Sequence, residues 1–218
     1  MKDTFKTIEA TAFGEFKDKG SKFLAYAGPL SIEADFPLFL EKIKKEHPKA
    51  RHHCFAWRLG MDKNRYRSND DGEPSGTAGR PILGQIDSFG LTNIGVVVVR
   101  YFGGTLLGTS GLITAYKEAT KLALNAALIN DLIIEKIIEI NYQIDFNYDK
   151  MPDIMNAIKR LNITVLKQNF EESGQLIIAI RQSEAESKLL EIRALIMKIS
   201  LEEARNHPDT EGVTIQEI

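Results

Sequence analysis

The stretch from Gly95 to Leu112 reads GVVVVRYFGGTLLGTSGL, and it joins a strand to a helix. The four consecutive valines predict the strand, since β-branched residues favour that conformation. Three glycines and two threonines follow before a helix predicted from about Ser110 to Asn130, whose second residue is a fourth glycine, Gly111. Such a segment fits a phosphate-binding loop, a nucleic-acid platform, or a tight turn between strand and helix.

Two nucleotide-binding motifs are excluded at this loop. Gly103 and Gly108 have the separation of the two glycines of a P-loop, and Ser110 takes the position of the magnesium-binding hydroxyl. Thr109, however, stands where the P-loop requires the lysine that meets the β and γ phosphates. The GxGxxG pattern of a dinucleotide-binding turn is also absent.

A weaker anion site remains compatible with the loop. Glycines let the backbone approach an anion, and a helix that begins near Thr109 directs free N–H groups to the same place. A tight turn with close packing of strand and helix explains the glycines equally well. The candidate residues for phosphate or nucleic-acid binding are Arg100, Phe102, Gly103, Gly104, Gly108, Thr109, Ser110 and Gly111.

Residues 61–80 have no apolar period and are predicted to form a long loop that contains the sequence DDGEP. The carboxylates of Asp70, Asp71 and Glu73 could hold magnesium or act as acid and base, although DDG before a proline is also ordinary turn chemistry. Pairing of these acids with nearby arginines explains them as well as catalysis does. The arginines in question are Arg65, Arg67 and Arg80.

Neither a metal site nor a nucleophile is predicted. In an extended strand His52 and Cys54 point to one face and His53 to the other, which leaves too few ligands for structural zinc. Ser110 lies in GTSG rather than GxSxG. We therefore expect no metal and no cofactor.

Composition narrows the class of protein. The chain has 218 residues, a hydrophobic fraction of 43% and a single cysteine, so it can form two ordinary domains but no internal disulfide. The N-terminus lacks an apolar segment typical of a signal peptide, and no apolar run could span a membrane, so we expect a cytoplasmic protein without a membrane partner. Residues 1–130 carry 18 bases and 14 acids, whereas residues 131–218 carry 10 and 16. Any nucleic-acid contact is therefore expected on the first half.

The apolar spacing predicts two domains, residues 1–130 and 131–218, and mixed α+β architecture. In the first, apolar runs at Phe5–Phe16 and Phe23–Leu30 flank a hairpin turn at Gly20, and Ser31 is expected to cap the next helix. In the second, the elements follow the order βαββαβ of the split βαβ motif, with a strand at Ile133–Phe146. A capping box at Ser183 and Glu186 is expected to start its second helix.

The chain resembles the IMPACT family. The resemblance is carried by SKFLAYAGPL, HHCFAW, SNDDGEPSGTAGRPIL and VVVVRYFGGTLLGTSGL, and it covers essentially all residues. The combination of DDGEP with RYFGG is specific. The chain looks like the bacterial two-domain branch of the family, and we expect it to be without the additional N-terminal domain of the eukaryotic relatives.

The resemblance implies two α/β-sandwich domains. The first would be a left-handed βαβ domain similar to domain IV of elongation factor G, and the second a ferredoxin-like domain similar to domain V of that factor. It also implies a role near translation, because the eukaryotic relatives restrain the kinase response to amino-acid starvation. For the bacterial branch it brings no established reaction.

Three hypotheses about function follow. The first is a translation-associated binding protein that contacts RNA or a ribosome-associated protein through its first domain, without DNA sequence specificity. The second is an enzyme acting on a phosphorylated small molecule in a cleft between the DDGEP and RYFGG loops. The third is a protein-interaction module that needs neither site. Convergence of the two loops on one cleft favours a small ligand, and an open basic surface favours a macromolecule.

Overall fold

The chain is described by a computed structural model, which covers residues 3–61, 64–171, 173–207 and 210–218. It is a mixed α/β protein with two compact units. The first unit is Phe5–Lys136, and the second is Ile137–Ile218 together with Asp3 and Thr4. Within the described residues, no helix combines the length and the apolar character needed to cross a membrane.

The first unit is a five-stranded antiparallel sheet covered by helices on both faces. Its strands are β1 (Thr4–Ile8), β2 (Ala12–Asp18), β3 (Ser21–Pro29), β4 (His52–Leu59), β5 (Arg65–Asn69), β6 (Ile94–Tyr101) and β7 (Ile133–Ile137), and its helices are α1 (Asp35–Glu46), α2 (Gly79–Ser88) and α3 (Gly108–Ile129). The sheet order is β2-β3-β6-β4-β5, while β1 and β7 form a separate pair. Because β3 and β4 both pair antiparallel to β6, they run parallel to each other across it.

The valine run lies at the centre of this sheet. Val96 and Val98 pack in the core formed with α2 and α3, whereas Val97 and Val99 pack in the core beneath α1. All four side chains are fully buried. A strand covered on both faces can be apolar at every position, which explains why the run does not alternate with polar residues.

The predicted hairpin at Gly20 is confirmed. β2 and β3 pair from Ala12 with Ala27 to Asp18 with Ser21, and both turn residues, Lys19 and Gly20, have positive φ. This is the conformation that two-residue hairpin turns favour. The apolar run at Phe5–Phe16, read as one strand, forms two, β1 and β2.

Two expectations for the first unit are wrong. Ser31 does not cap α1, which begins at Asp35; instead the Asp35 carboxylate accepts hydrogen bonds from the amides of Ser31 and Ile32. The loop expected at 61–80 contains β5, which pairs with β4 at the edge of the sheet. β5 has exposed side chains on both faces apart from the partly buried Ser68, so it carries no apolar period that the sequence could reveal.

The second unit has the βαββαβ order expected from the sequence, with one additional short helix. Its elements are β8 (Glu139–Phe146), α4 (Met151–Arg160), β9 (Thr164–Phe170), β10 (Gly174–Arg181), α5 (Ala185–Met197), α6 (Leu201–Asn206) and β11 (Val213–Glu217). The four strands form an antiparallel sheet in the order β11-β8-β10-β9. Its core contains Ile144 and Leu176 from the sheet, Ile154 from α4 and Ile192 from α5.

Two further expectations are corrected in this unit. The strand expected at Ile133–Phe146 is two strands, β7 and β8, and β7 pairs with β1. Ser183 does not form a capping box; its amide and hydroxyl both donate to the Asp3 carboxylate. The capping box lies at Ser200 and Glu203, at the start of α6.

Candidate functional site

Arg100 lies at the end of β6, on the face that Val96 and Val98 share with α2 and α3. Its Nη1 donates to Glu73 Oε1 across 2.6 Å, and the side chains of Arg100 and Glu73 are only 8% and 3% exposed. The DDGEP loop therefore does meet the RYFGG segment. The contact is a buried ion pair, in which each charge neutralises the other, rather than an open cleft lined by free charges.

Tyr116 and Cys54 extend this ion pair into the core. The hydroxyl of Tyr116 donates to Glu73 Oε1 across 2.8 Å, and the Cys54 thiol lies 3.2 Å from that hydroxyl. Burial raises the pKa of the Cys54 thiol and the pKa of the Tyr116 hydroxyl well above their ordinary values. Both groups are therefore neutral, and Cys54 is unsuited to act as a nucleophile because the thiolate is the reactive form.

The first two acids of the DDGEP loop hold its backbone in place. The Asp70 carboxylate accepts hydrogen bonds from the amides of Gly76, Ala78 and Gly79, so it fixes the loop at the start of α2. Burial raises the pKa of Asp70, but these amides and Arg80 outweigh that effect and hold the pKa below its usual value. The Asp71 carboxylate accepts a hydrogen bond from the amide of His53.

The expected pairing of the loop acids with their neighbouring arginines is largely replaced by other contacts. Glu73 pairs with Arg100, whereas the guanidinium of Arg67 lies over the ring of Phe55, at 6.0 Å from its centroid. Arg80 is exposed and acts on Asp70 through its charge. The sequence offered no signal for the partner of Glu73, because Arg100 lies 27 positions away.

The neighbouring histidines and cysteine do not form a metal-binding group. His52 and Cys54 share one face of β4, and a ring nitrogen of His52 lies 2.8 Å from the carbonyl oxygen of Asp71. His53 lies on the other face, buried, with no hydrogen-bond partner at Nε2. Over the described ranges of the chain, no three of the side chains His, Cys, Asp and Glu are grouped so as to hold a metal ion.

Two phenylalanines enclose the Arg100 guanidinium. Its central carbon lies 5.5 Å from the ring centroid of Phe23 and 5.6 Å from that of Phe102. Phe23 is fully buried, whereas Phe102 is 48% exposed. Arg100 therefore supports Phe102 from beneath, and the exposed face of the Phe102 ring is available to a partner.

The glycines of the loop have different structural tasks. A Cβ on Gly103 would lie 1.9 Å from the backbone carbon of Gly20, so a side chain there would collide with the β2–β3 turn. Gly104 and Gly108 have φ values of 90° and 72°, which favour glycine, but nothing lies within 4 Å of their Cβ positions. A Cβ on Gly111, in the first turn of α3, would lie 3.1 Å from the Cβ of Leu107.

The N-terminus of α3 is exposed and carries no side-chain cap. The helix begins at Gly108, and its N-cap residue, Leu107, offers no side-chain acceptor to the first amides. Gly108, Thr109 and Ser110 are exposed. The first amides of a helix have no partner within it, so an anion at this point would meet free donors and the positive end of the helix dipole.

The sequence-predicted residues thus fall into two groups. Arg100, Glu73, Asp70 and Asp71 are engaged in the interior or in the loop backbone. Phe102, residues 103–106 and residues 108–110 are exposed, whereas Leu107 between them is buried. Tyr116 is the residue of this site that the sequence did not indicate, since its helical spacing matched an ordinary core position.

The chain is similar to known proteins over most of its length. Residues 19–124 match the family model described as the Impact N-terminal domain. An IMPACT family member of Haemophilus influenzae is 35% identical over 171 residues, which cover 78% of this chain and 81% of that protein. The IMPACT family member YigZ of Escherichia coli is 51% identical over 88 residues, or 39% of this chain and 43% of that protein. A crystal structure of a hypothetical protein has a TM-score of 0.70 and 27% identity, and the match covers 100% of this chain and 98% of that chain.

Proposed function

Because this chain belongs to the IMPACT family, we propose that it is a cytoplasmic, translation-associated protein with a regulatory or binding role. It contacts RNA or a ribosome-associated protein through its first unit. The observation that carries the proposal is the segment from Phe102 to Ser110, of which every residue except Leu107 is exposed. There an exposed aromatic ring is followed along the chain by the exposed, uncapped end of a 22-residue helix.

In this proposal the backbone amides at the start of α3 bind a phosphate group. The hydroxyls of Thr109 and Ser110 add donors, Gly104 and Gly108 leave space for the phosphate, and Phe102 stacks on a base. Arg100 acts from beneath by holding Phe102, since its own guanidinium is buried against Glu73. Without a lysine in the loop, binding is weak and favours the repeated phosphates of a polymer over a single nucleotide.

The fold supports the same proposal. We propose that the first unit is a left-handed βαβ domain similar to domain IV of elongation factor G, and that the second is a ferredoxin-like domain similar to its domain V. The parallel strands β3 and β4 joined through α1, and the βαββαβ order of the second unit, agree with this assignment. We retain residues 1–130 and 131–218 as the proposed folding domains, which limited proteolysis can test.

The alternative of an enzyme acting on a phosphorylated small molecule has one supporting observation, the meeting of the DDGEP and RYFGG segments. The carboxylates that would perform the chemistry are already engaged: Glu73 by Arg100 and Tyr116, Asp70 by three backbone amides, and Asp71 by the amide of His53. A general base must reach the proton that it removes. We therefore favour the binding role.

Fluorescence anisotropy of a labelled single-stranded RNA with the full-length protein tests the proposal. Affinity is expected to fall steeply as the salt concentration rises, because phosphate contacts release counterions. Ser110→Glu is expected to weaken binding, since it places a negative charge at the phosphate site. It should not weaken the fold, because an acid in the first turn of a helix is favourable. Ser110→Glu is a better test than a substitution at Gly104, because the positive φ at Gly104 would strain any side chain and could lower stability.

Ser31→Glu is the matched control, because it makes the same change at another exposed serine. Ser31 lies two residues after the end of β3 and outside the proposed phosphate site. Binding that does not depend on salt, or that Ser110→Glu and Ser31→Glu weaken equally, would contradict the assignment of the site. If RNA does not bind while the protein still co-sediments with ribosomes, the partner is a ribosome-associated protein.

A further inference from the structure

The sheet of the first unit has an open area on the α1 face. The core beneath α1 contains residues of β3, β4 and β6 but none of β2. Along β2, Phe13, Glu15 and Lys17 point to this face and are exposed, whereas Ala12, Gly14 and Phe16 point to the other face. An exposed phenylalanine, 45% accessible, therefore lies on an uncovered part of the sheet.

Phe13 is the first of four aromatic rings in contact, which we call the aromatic row: Phe13, Tyr26, His47 and Tyr101. Successive ring centroids are 5.1, 5.6 and 5.9 Å apart. Phe13 lies on β2 and Tyr26 on β3. His47 directly follows α1, and Tyr101 is the last residue of β6.

Hydrogen bonds hold the middle of the row in place. Nε2 of His47 lies 2.7 Å from the hydroxyl of Tyr26, and its Nδ1 lies 3.0 Å from the hydroxyl of Tyr101. Both tyrosine hydroxyls are thereby engaged, which fixes the orientation of the rings. The three rings are partly exposed.

Two basic segments border the aromatic row. Residues 15–22 form the β2–β3 hairpin, and residues 41–51 form the end of α1 and the link to β4. Together they carry eight lysine and arginine residues against four acids. All eight basic residues are exposed: Lys17, Lys19, Lys22, Lys42, Lys44, Lys45, Lys49 and Arg51. The two segments together have a net charge of +4, which equals the net charge of residues 1–130 as a whole. The rest of residues 1–130 therefore has no net charge.

We propose that the aromatic row is a stacking platform for single-stranded RNA, with the flanking lysines on its phosphates. Proteins that bind single strands combine aromatic rings with a positively charged surface in this way, since every base offers a face for stacking. The occupant is a nucleic acid rather than an apolar protein segment because basic residues outnumber acidic ones by eight to four in the two segments next to the row. This inference rests on the proposed RNA contact and adds the place where the bases stack.

The platform also joins the site on the glycine loop. Tyr101 ends β6 on the face of the row, and Phe102 follows it on the face of Arg100. Lys22 pairs with Tyr101 across the sheet, so a lysine lies next to the last ring of the aromatic row. A single strand can therefore run from the row past Tyr101 to the start of α3.

Phe13→Ala and Phe13→Leu test the platform in the full-length protein, with a fluorescein-labelled uridine 12-mer as the probe. Both changes remove a stacking ring and are expected to raise the dissociation constant about tenfold. Leu38→Ala, which shortens a side chain that is 69% exposed on α1, is the control and should bind as the wild type. Lys22→Gln should reduce the magnitude of the salt slope by about 0.7. Fluorescence of the buried Trp57 verifies that each variant is folded.

The outcomes separate this inference from the proposed function. If Ser110→Glu weakens RNA binding but Phe13→Ala, Phe13→Leu and Lys22→Gln do not, the RNA passes only over the glycine loop and the platform is wrong. If the wild type binds no RNA, the platform is wrong, and co-sedimentation with ribosomes then decides whether the proposed function holds through a protein partner. If Phe13→Ala leaves RNA affinity unchanged but abolishes binding to ribosomes, the row contacts a protein and the inference is likewise overturned.

Discussion

Replacement of Glu73 by alanine is expected to destabilise the first unit strongly. The change leaves the Arg100 guanidinium buried without its counter-charge, at a site where its Nε already lacks a partner. It also removes the acceptor of the Tyr116 hydroxyl, which is fully buried. Breaking a buried ion pair from one side costs about 3–5 kcal/mol. Since a domain is stable by only about 5–15 kcal/mol, the loss should be a large part of the total.

Trp57 makes the measurement specific to this unit. It is the single tryptophan of the chain and is buried on β4, so its fluorescence during urea unfolding follows the first unit. Glu41→Ala is the control, because it removes one partner of an ion pair whose side chains are 74% and 59% exposed. Exposed pairs contribute little, so the control should unfold close to the wild type.

A double variant tests the physical reason. Glu73→Leu combined with Arg100→Met removes both charges and should be more stable than either single variant, because no uncompensated charge remains buried. If Glu73→Ala unfolds at the same urea concentration as Glu41→Ala, the Glu73–Arg100 pair does not hold the DDGEP loop and the reasoning is refuted.

Other predictions concern the loop acids and the glycines. The pKa of Asp70 is lowered in the folded protein, so its contribution to stability is complete above the ordinary value of about 3.9 and is lost as the pH falls through the folded value. Asp70→Asn should therefore show a weaker dependence of stability on pH in acid than the wild type, and an equal dependence would contradict this. Gly84→Ala should raise stability by about 0.5–1 kcal/mol, because Gly84 lies within α2 with nothing within 4 Å of its Cβ position. Gly103→Ala should lower stability by about 1–3 kcal/mol, because its methyl group would collide with the backbone of Gly20. Urea unfolding measures the stability of both glycine variants. A Gly103→Ala variant as stable as the wild type would show that Gly103 is not needed for packing against the β2–β3 turn.

Local patterns predicted those parts of the fold that depend on neighbouring residues. The valine strand and the turn at Gly20 follow from short-range preferences, and the βαββαβ order follows from apolar spacing. β5 was missed because an edge strand with exposed side chains has no such spacing. The two Ser-x-x-Glu sequences, at Ser183 and Ser200, are equivalent by pattern. Only the second forms a capping box, since Asp3, far away in sequence, binds the first serine.

The candidate site was predictable to a similar extent. The sequence identified the DDGEP and RYFGG segments as a pair but not the contact that joins them, because five other arginines lie closer to Glu73 along the chain than Arg100 does. The aromatic row was not indicated at all. Its members come from β2, β3, the end of α1 and β6, and only the pairing of those strands brings them into contact.

The number of glycines in the loop does not by itself indicate an anion site. Gly103 is required by the close approach of the β2–β3 turn, and Gly104 and Gly108 have positive φ values that a strand-to-helix connection can impose without any ligand. What the turn does not explain is the uncapped end of α3, since a serine, threonine or aspartate at position 107 would satisfy an amide that Leu107 leaves free. Ser110→Glu distinguishes the two explanations. It should keep the fold intact in either case, but it should weaken RNA binding only if those amides receive a phosphate.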